Sequence, residues 1–171
     1  KVESEPLEIS WLEFGPEIRE KGSTISALGR APGEGRLRSR IGVGLYGKNG
    51  FQLRIDQGKQ VVELVRRGIV LKLVDFASDP ETLYEMELSV VEDGEDWTVS
   101  VRVWTYETER PEDPLFSHHA FGDELLFPLA GRACLVATPF SGEPVQYAIA
   151  KVYDGDPFAL IEDSDSEEET E

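Results

Sequence analysis

Two glutamates separated by one residue, Glu85 and Glu87, are the nearest this chain comes to a catalytic carboxylate pair. Residues i and i+2 of a strand point to the same face, and retaining cleavage of a glycosidic bond needs carboxyls roughly 5–5.5 Å apart. An ion pair with Arg102 on the following strand accounts for Glu85 without any catalysis. His118 and His119 are adjacent, so on a strand they face opposite ways and hold no ion jointly; only in a loop would they converge, with Asp123 as a third ligand. Asp154-Gly155-Asp156 offers oxygens of the kind calcium prefers, without the longer loop of a specific site. The one cysteine, Cys134, falls in an alternating run and reads as a small buried hydrophobe. Gly42-Val43-Gly44 lies inside a strand pattern and opens no helix, so it is no phosphate cradle. Arg36, Arg38 and Arg40 form a basic stripe on one strand face, with Arg30 nearby. They serve either as partners for the many carboxylates or as a contact for an anion or acidic glycan.

Ligand chemistry is better represented than catalysis. Saccharides bind where an aromatic ring takes an apolar sugar face and nearby polar groups take the hydroxyls. Trp104 ends a strand face that also carries Thr98, Ser100 and Arg102, whereas Trp97 falls on the apolar parity and belongs to the core. The candidate ligand-binding set is Trp104, Arg102, Glu87 and Tyr106. Trp104 would supply the stacking plane, Arg102 and Glu87 would orient hydroxyls, and Tyr106 would close one side. Tyr46, at a strand end, is a further aromatic neighbour. The alternative for Trp104 is that it covers an edge of the fold.

The elements that position these residues are strands. Tyr84, Met86, Leu88 and Val90 alternate with Glu85, Glu87 and Ser89; Trp97, Val99, Val101 and Val103 alternate with Thr98, Ser100 and Arg102. Asp93-Gly94 between them signals a two-residue hairpin turn. That turn predicts Tyr84 opposite Val103, Met86 opposite Val101, Leu88 opposite Val99 and Glu85 opposite Arg102. A second hairpin is expected over residues 60–74 around Arg67-Gly68, pairing Val61 with Val74, Glu63 with Lys72, Leu64 with Leu71 and Val65 with Val70. Arginine is an awkward first residue for a tight mirror-image turn, so a longer loop stays open. Both faces of this hairpin are largely apolar, which predicts a pair covered on both sides or lying near a ligand groove. Further strands are expected at Leu7–Glu13, Ser23–Leu28, Arg36–Tyr46, Phe51–Ile55, Glu124–Phe127, Arg132–Thr138 and Val145–Val152. Gly15–Gly22 reads as at most a helical turn or two. No segment shows a capped 3.6-residue period and there is no internal repeat. Many short strands punctuated by Gly and Pro predict an all-β, antiparallel two-sheet sandwich of jelly-roll type.

Composition narrows the partners. The 171 residues carry 34 acids against 17 bases, for a net charge of −17. Like charge argues against nucleic acid and anionic lipid. The apolar runs are far shorter than the ~20 residues of a membrane span, and one cysteine makes no disulfide framework. Residues 162–171 hold seven of the acids and no base, leaving −10 on the first 161. The chain therefore reads as one domain over 1–161 with a disordered acidic tail over 162–171, in which Ser164 and Ser166 suit an acid-directed kinase. A chain that opens at Lys1 without a charged-then-apolar leader reads as a processed product or a fragment of a longer protein.

The hairpin ending in Val101-Arg102-Val103-Trp104, followed by Pro111, Pro114 and Phe121-Gly122-Asp123, resembles the concanavalin A-like lectin/glucanase sandwiches, including laminin G-like modules. Gly131-Arg132-Ala133-Cys134-Leu135 looks like a strand that follows in such modules, Val145–Ile149 like the closing strand, and Gly50–Ile55 like the strand after the first hairpin. The resemblance covers roughly residues 36 to 152 and implies a sandwich that binds, adheres or hydrolyses. Glucanases of the superfamily carry Glu-x-Asp-x-x-Glu on one strand; Glu85-Met86-Glu87 lacks the third acid. Many laminin G-like modules place an acid on the closing strand to help hold calcium. Gln146-Tyr147-Ala148-Ile149-Ala150 has none, so calcium is not supported and no other cofactor is implied.

The first expectation for function is a non-catalytic binding or adhesion module of a larger protein, most plausibly for a saccharide. An extracytoplasmic or secreted setting is implied by the resemblance alone. The alternatives are a glycoside hydrolase-like enzyme of the same fold, and a structural accessory domain that packs against a neighbouring domain. Far-ultraviolet circular dichroism should show a β-dominated spectrum, with helix far below the ~30–35 % of average domains.

Overall fold

The computed structural model describes residues 9–18, 22–33, 38–122, 129–139, 143–155 and 157. These form eleven strands: β1 (Ser10–Ile18), β2 (Ser23–Arg30), β3 (Arg40–Leu45), β4 (Phe51–Asp56), β5 (Val61–Arg66), β6 (Ile69–Asp75), β7 (Tyr84–Asp93), β8 (Asp96–Thr105), β9 (Phe116–Ala120), β10 (Gly131–Thr138) and β11 (Gln146–Asp154). A 3-10 turn at Gly47–Asn49 joins β3 to β4. The strands make two sheets, a six-stranded one in the order β1-β10-β3-β4-β5-β6 and a five-stranded one in the order β11-β2-β7-β8-β9. Every pairing is antiparallel. The expected all-β sandwich is what the chain adopts. The strand at Glu124–Phe127, Arg36, Asp123, Asp156 and the tail over 162–171 lie outside the described residues.

One apolar layer lies between the sheets. Ile41, Val43, Leu45, Phe51, Leu53 and Ile55 enter it from the six-stranded sheet; Ile25, Met86, Leu88, Val90, Val99 and Val101 enter from the other. All twelve are fully buried, as the period of two requires for strands with one face on a core. Tyr147 of β11 reaches across to the opposite sheet. Its hydroxyl accepts from the Gly42 amide at 3.1 Å and lies 2.7 Å from the Gly42 carbonyl and 2.6 Å from that of Val136. Burial pushes its phenol above the ordinary tyrosine range.

The central hairpin keeps its expected faces but not its expected partners. Gly94 and Glu95 are the turn residues, with Asp93 opposite Asp96. Positive φ falls on Gly94, at +70°, and not on Glu95, which is the pattern of a type II′ turn. The ladder is thereby moved by two residues: Tyr84 faces Thr105, Met86 faces Val103, Leu88 faces Val101, and Arg102 faces Glu87 instead of Glu85. A shift of two leaves every side chain on its own face.

The second hairpin closes on Arg67-Gly68, both at positive φ, so the arginine does take the mirror-image turn. Val65 pairs with Val70 as expected. A bulge then shifts the register, setting Leu64 against Lys72 and Val62 against Val74. Only β5 is covered on both sides; β6 is the outer strand of its sheet, with Ile69 67 % and Leu73 56 % exposed. The covered outer side of β4 and β5 sets Val61 and Val65 among polar groups: Asp56 takes Arg40 at 2.7 Å, and Glu63 takes Lys59 at 2.9 Å.

The strand expected at Leu7–Glu13 runs on through a stretch read as a helical turn, and one segment read as a loop is a strand. Ser10–Ile18 runs through Gly15-Pro16 as an edge strand, and its pairing with β10 breaks between Phe14 and Ile18. An edge and an irregularity are where a sheet tolerates proline. Phe116–Ala120 pairs with β8, which sends His118 toward the core side and His119 outward.

Leu88 lies fully buried among its cross-strand neighbours, while Glu85 on the other face of β7 has no ion-pair partner among the described residues. Leu88→Ala should cost about 2–5 kcal/mol in urea denaturation, and Glu85→Ala no more than ~0.5 kcal/mol.

Candidate functional site

The outer face of the five-stranded sheet is built in rows. Antiparallel registers set Ile149, Leu28, Glu85 and Trp104 side by side across β11, β2, β7 and β8. The next row is Lys151, Ser26, Glu87 and Arg102, and the third is Tyr153, Thr24, Ser89, Ser100 and Ser117. With strands roughly 4.8 Å apart, each row brings together residues far apart in sequence. Hydroxyls link along the third row: Thr24 to Ser89 at 2.8 Å and Ser100 to Ser117 at 3.2 Å.

A cleft of about 210 Å³ lies over the first two rows, lined by Leu28, Glu85, Glu87, Trp104, Ile149, Lys151 and Tyr153, with Tyr106 and Arg110 closing it from the segment after β8. Three of the four expected residues, Trp104, Glu87 and Tyr106, therefore share one cleft. Arg102 stands in the same row as Glu87 but is turned to its task there.

Glu87 is 2 % exposed. Its Oε1 accepts from Arg102 at 3.1 Å and from Arg110 at 2.7 Å, and its Oε2 accepts from Arg110 Nε at 2.9 Å. The Arg110 contact is a two-pronged guanidinium–carboxylate pair, the stronger kind of charged hydrogen bond. Arg102 also donates to the Glu112 carbonyl at 2.9 and 3.3 Å. Two guanidiniums thus fasten the 106–115 excursion to the sheet through one carboxylate. The expectation that Glu87 meets hydroxyls directly needs recasting, since its oxygens are occupied and buried.

The groups with spare hydrogen-bonding capacity are others. Glu85 and Lys151 line the cleft with no side-chain partner among the described residues, and the Trp104 indole nitrogen has none either. Sequence reasoning assigned Glu85 to an ion pair and passed over Lys151, Tyr153 and Arg110. Alternation in β11 was visible, but its pairing with β2, and so its place beside Glu85, was not.

The remaining candidates separate. Arg40 is spent on Asp56, and Arg30 lies 3.5 Å from Glu81. His119 meets Asp96 at 3.0 Å; the Gly122 amide and then His119 hold that carboxyl below its ordinary range. Cys134 is fully buried, and burial pushes its thiol up to about 12. Tyr46 belongs to the core cluster. Trp97 packs against that cluster from its rim.

No protein-family profile matches the sequence and no curated protein matches it. Solved structures do. The carbohydrate-binding module CBM66 from Bacillus subtilis aligns with a TM-score of 0.60 at 11 % identity, over 84 % of this chain and 81 % of that one. Lectin II from Ulex europaeus aligns with a TM-score of 0.52 at 8 % identity, over 84 % and 81 %. At these identities the likeness is one of fold, a jelly-roll sandwich of the concanavalin A-like type.

Glu87→Ala leaves two guanidiniums facing a buried gap and should cost about 3–5 kcal/mol. Arg110→Ala keeps the Arg102 contact and should cost less, about 1–3 kcal/mol. Amide hydrogen exchange over residues 106–115 should accelerate in both variants, and more in the first.

Proposed function

We propose that the chain is a non-catalytic carbohydrate-binding module and that the cleft on the outer face of its five-stranded sheet takes a saccharide. The observation that carries this is one juxtaposition: the partly exposed Trp104 lies in a cleft with Glu85 and Lys151, an acceptor and a donor that no described residue engages. An aromatic plane flanked by unsatisfied polar groups is what a sugar ring with its apolar face and equatorial hydroxyls requires. Tyr106 and Tyr153 border the same space. In this reading Arg102, Arg110 and Glu87 act by holding the wall, and Glu85 and Lys151 take the hydroxyls.

The fold comparisons support a carbohydrate-binding scaffold and leave the site to be argued from its own chemistry. A hydrolase needs two carboxylates with access to the scissile bond, and the occupied oxygens of Glu87 favour the non-catalytic alternative. A laminin G-like affiliation and an extracytoplasmic setting, implied by the hairpin resemblance, belong to the same proposal. The second reading, a structural domain packed against a neighbouring domain, draws on the exposed apolar residues of β6.

Tryptophan fluorescence against a glycan panel tests the assignment. A bound saccharide should perturb the emission, with modest affinity because polar desolvation offsets much of the contact gain. Trp104→Ala should abolish binding while cooperative unfolding persists. Loss of folding in that variant, or no response to any glycan, makes Trp104 a residue of the scaffold.

A further inference from the structure

Tyr106 is exposed, yet its backbone is fixed. Its amide donates to the Leu83 carbonyl at 3.0 Å, and the turn that carries it is closed by Thr108, whose amide and hydroxyl both donate to the Thr105 carbonyl at 2.9 Å. An aromatic ring left 57 % exposed on such a turn offers contact area with little backbone freedom left to lose on binding. One side of the residue borders the Trp104 cleft. The other borders a second cleft of about 370 Å³, between Glu81–Leu83 and Thr105–Glu107. At about 210 Å³, the first cleft alone falls below the ~300 Å³ at which small-molecule sites begin.

We propose, resting on the saccharide-binding reading above, that the ligand is a linear, uncharged oligosaccharide that crosses Tyr106 and occupies both clefts. Trp104 and Tyr106 are two residues apart, a separation of roughly 7 Å along an extended chain, so two rings are offered in succession. Leu83, 37 % exposed, gives the second cleft an apolar floor for a further sugar face. The uncharged class follows from Glu81 and Glu107, which line that cleft in a chain of net charge −17. A polyuronate would meet like charge there, and the exposed Arg30 contact at 3.5 Å to Glu81 offsets little of it.

Isothermal titration with gluco-, manno-, xylo- and galacto-oligosaccharides, from disaccharide to hexasaccharide, tests this beside oligouronates of the same lengths. At least one neutral series should gain about tenfold in affinity between the disaccharide and the tetrasaccharide. Thr82→Trp, which fills the second cleft, and Leu83→Ala, which strips its floor, should each remove that gain and leave the disaccharide affinity within about twofold. Thermal unfolding of both variants checks that they fold. Affinity that does not rise with length, or a gain that survives both substitutions, overturns occupancy of two clefts and leaves saccharide binding standing. Tighter binding of the uronates overturns the uncharged class. Failure of every series to bind removes this inference and the parent reading together.

Discussion

The cleft on the five-stranded sheet depends on one buried carboxylate. Glu87 sits on a face that strands β2 and β8 flank closely, and a charge so placed is tolerated only if it is paired and hydrogen-bonded. Arg102 comes from the neighbouring strand, where the register puts it; Arg110 comes from the excursion that follows β8. A short apolar residue at position 87 would suit the sheet and leave residues 106–115 without their main attachment. The charge is costly where it stands, and its effect is to fix where a loop goes. That loop supplies Tyr106, so the geometry of the candidate site traces back to a residue of the cleft wall whose own carboxylate oxygens are taken up by two guanidiniums.

Legibility followed the periods. Alternation in β7 and β8 assigns Met86, Leu88, Val99 and Val101 inward and Glu85, Glu87, Arg102 and Trp104 outward without any knowledge of pairing, because a strand's faces are a property of its own sequence. The partner of Arg102 was another matter. Asp93-Gly94 and Gly94-Glu95 are both acceptable turns; they differ by two residues in register, and no face changes between them. What decides is that Asp93 does not share the positive φ of Gly94, as a type I′ turn on Asp93-Gly94 would require. Glu85, Lys151 and Tyr153 became neighbours through a sheet order, β11-β2-β7, that joins distant stretches of chain. Nothing in local pattern carries that information. β9 escaped because its two histidines and serine hide an alternation whose inward residues are Phe116, His118 and Ala120. Only the end of β1 escaped: Gly15-Pro16 reads as a break after the strand expected at Leu7–Glu13, and an edge strand accommodates it.

The two sheets use their outer surfaces differently. On the six-stranded sheet the outward residues of β4 and β5 are covered, and their carboxylates are paired: Asp56 with Arg40, Glu63 with Lys59. On the five-stranded sheet the outward rows are partly open, with one pair closed at Glu87 and other groups left unsatisfied beside an aromatic ring. A sandwich of this kind supports many activities, so the proposal of a saccharide site rests on the unengaged groups beside Trp104 and not on the architecture.

The open edge at β6 bears on how the molecule behaves in a crowd. Its apolar side chains face water on both sides, and its one lysine is drawn off toward the Ser117 carbonyl of the opposite sheet, at 3.0 Å. A central edge lysine normally discourages a second strand from annealing there; this one is tethered elsewhere. Protection falls instead to long-range repulsion between molecules that each carry −17. That repulsion reaches about 10 Å at 0.1 M salt and only ~3 Å at 1 M. Colloidal stability thus hangs on ionic strength: dilute buffer keeps the strands apart, and concentrated salt leaves the bare edge to find another.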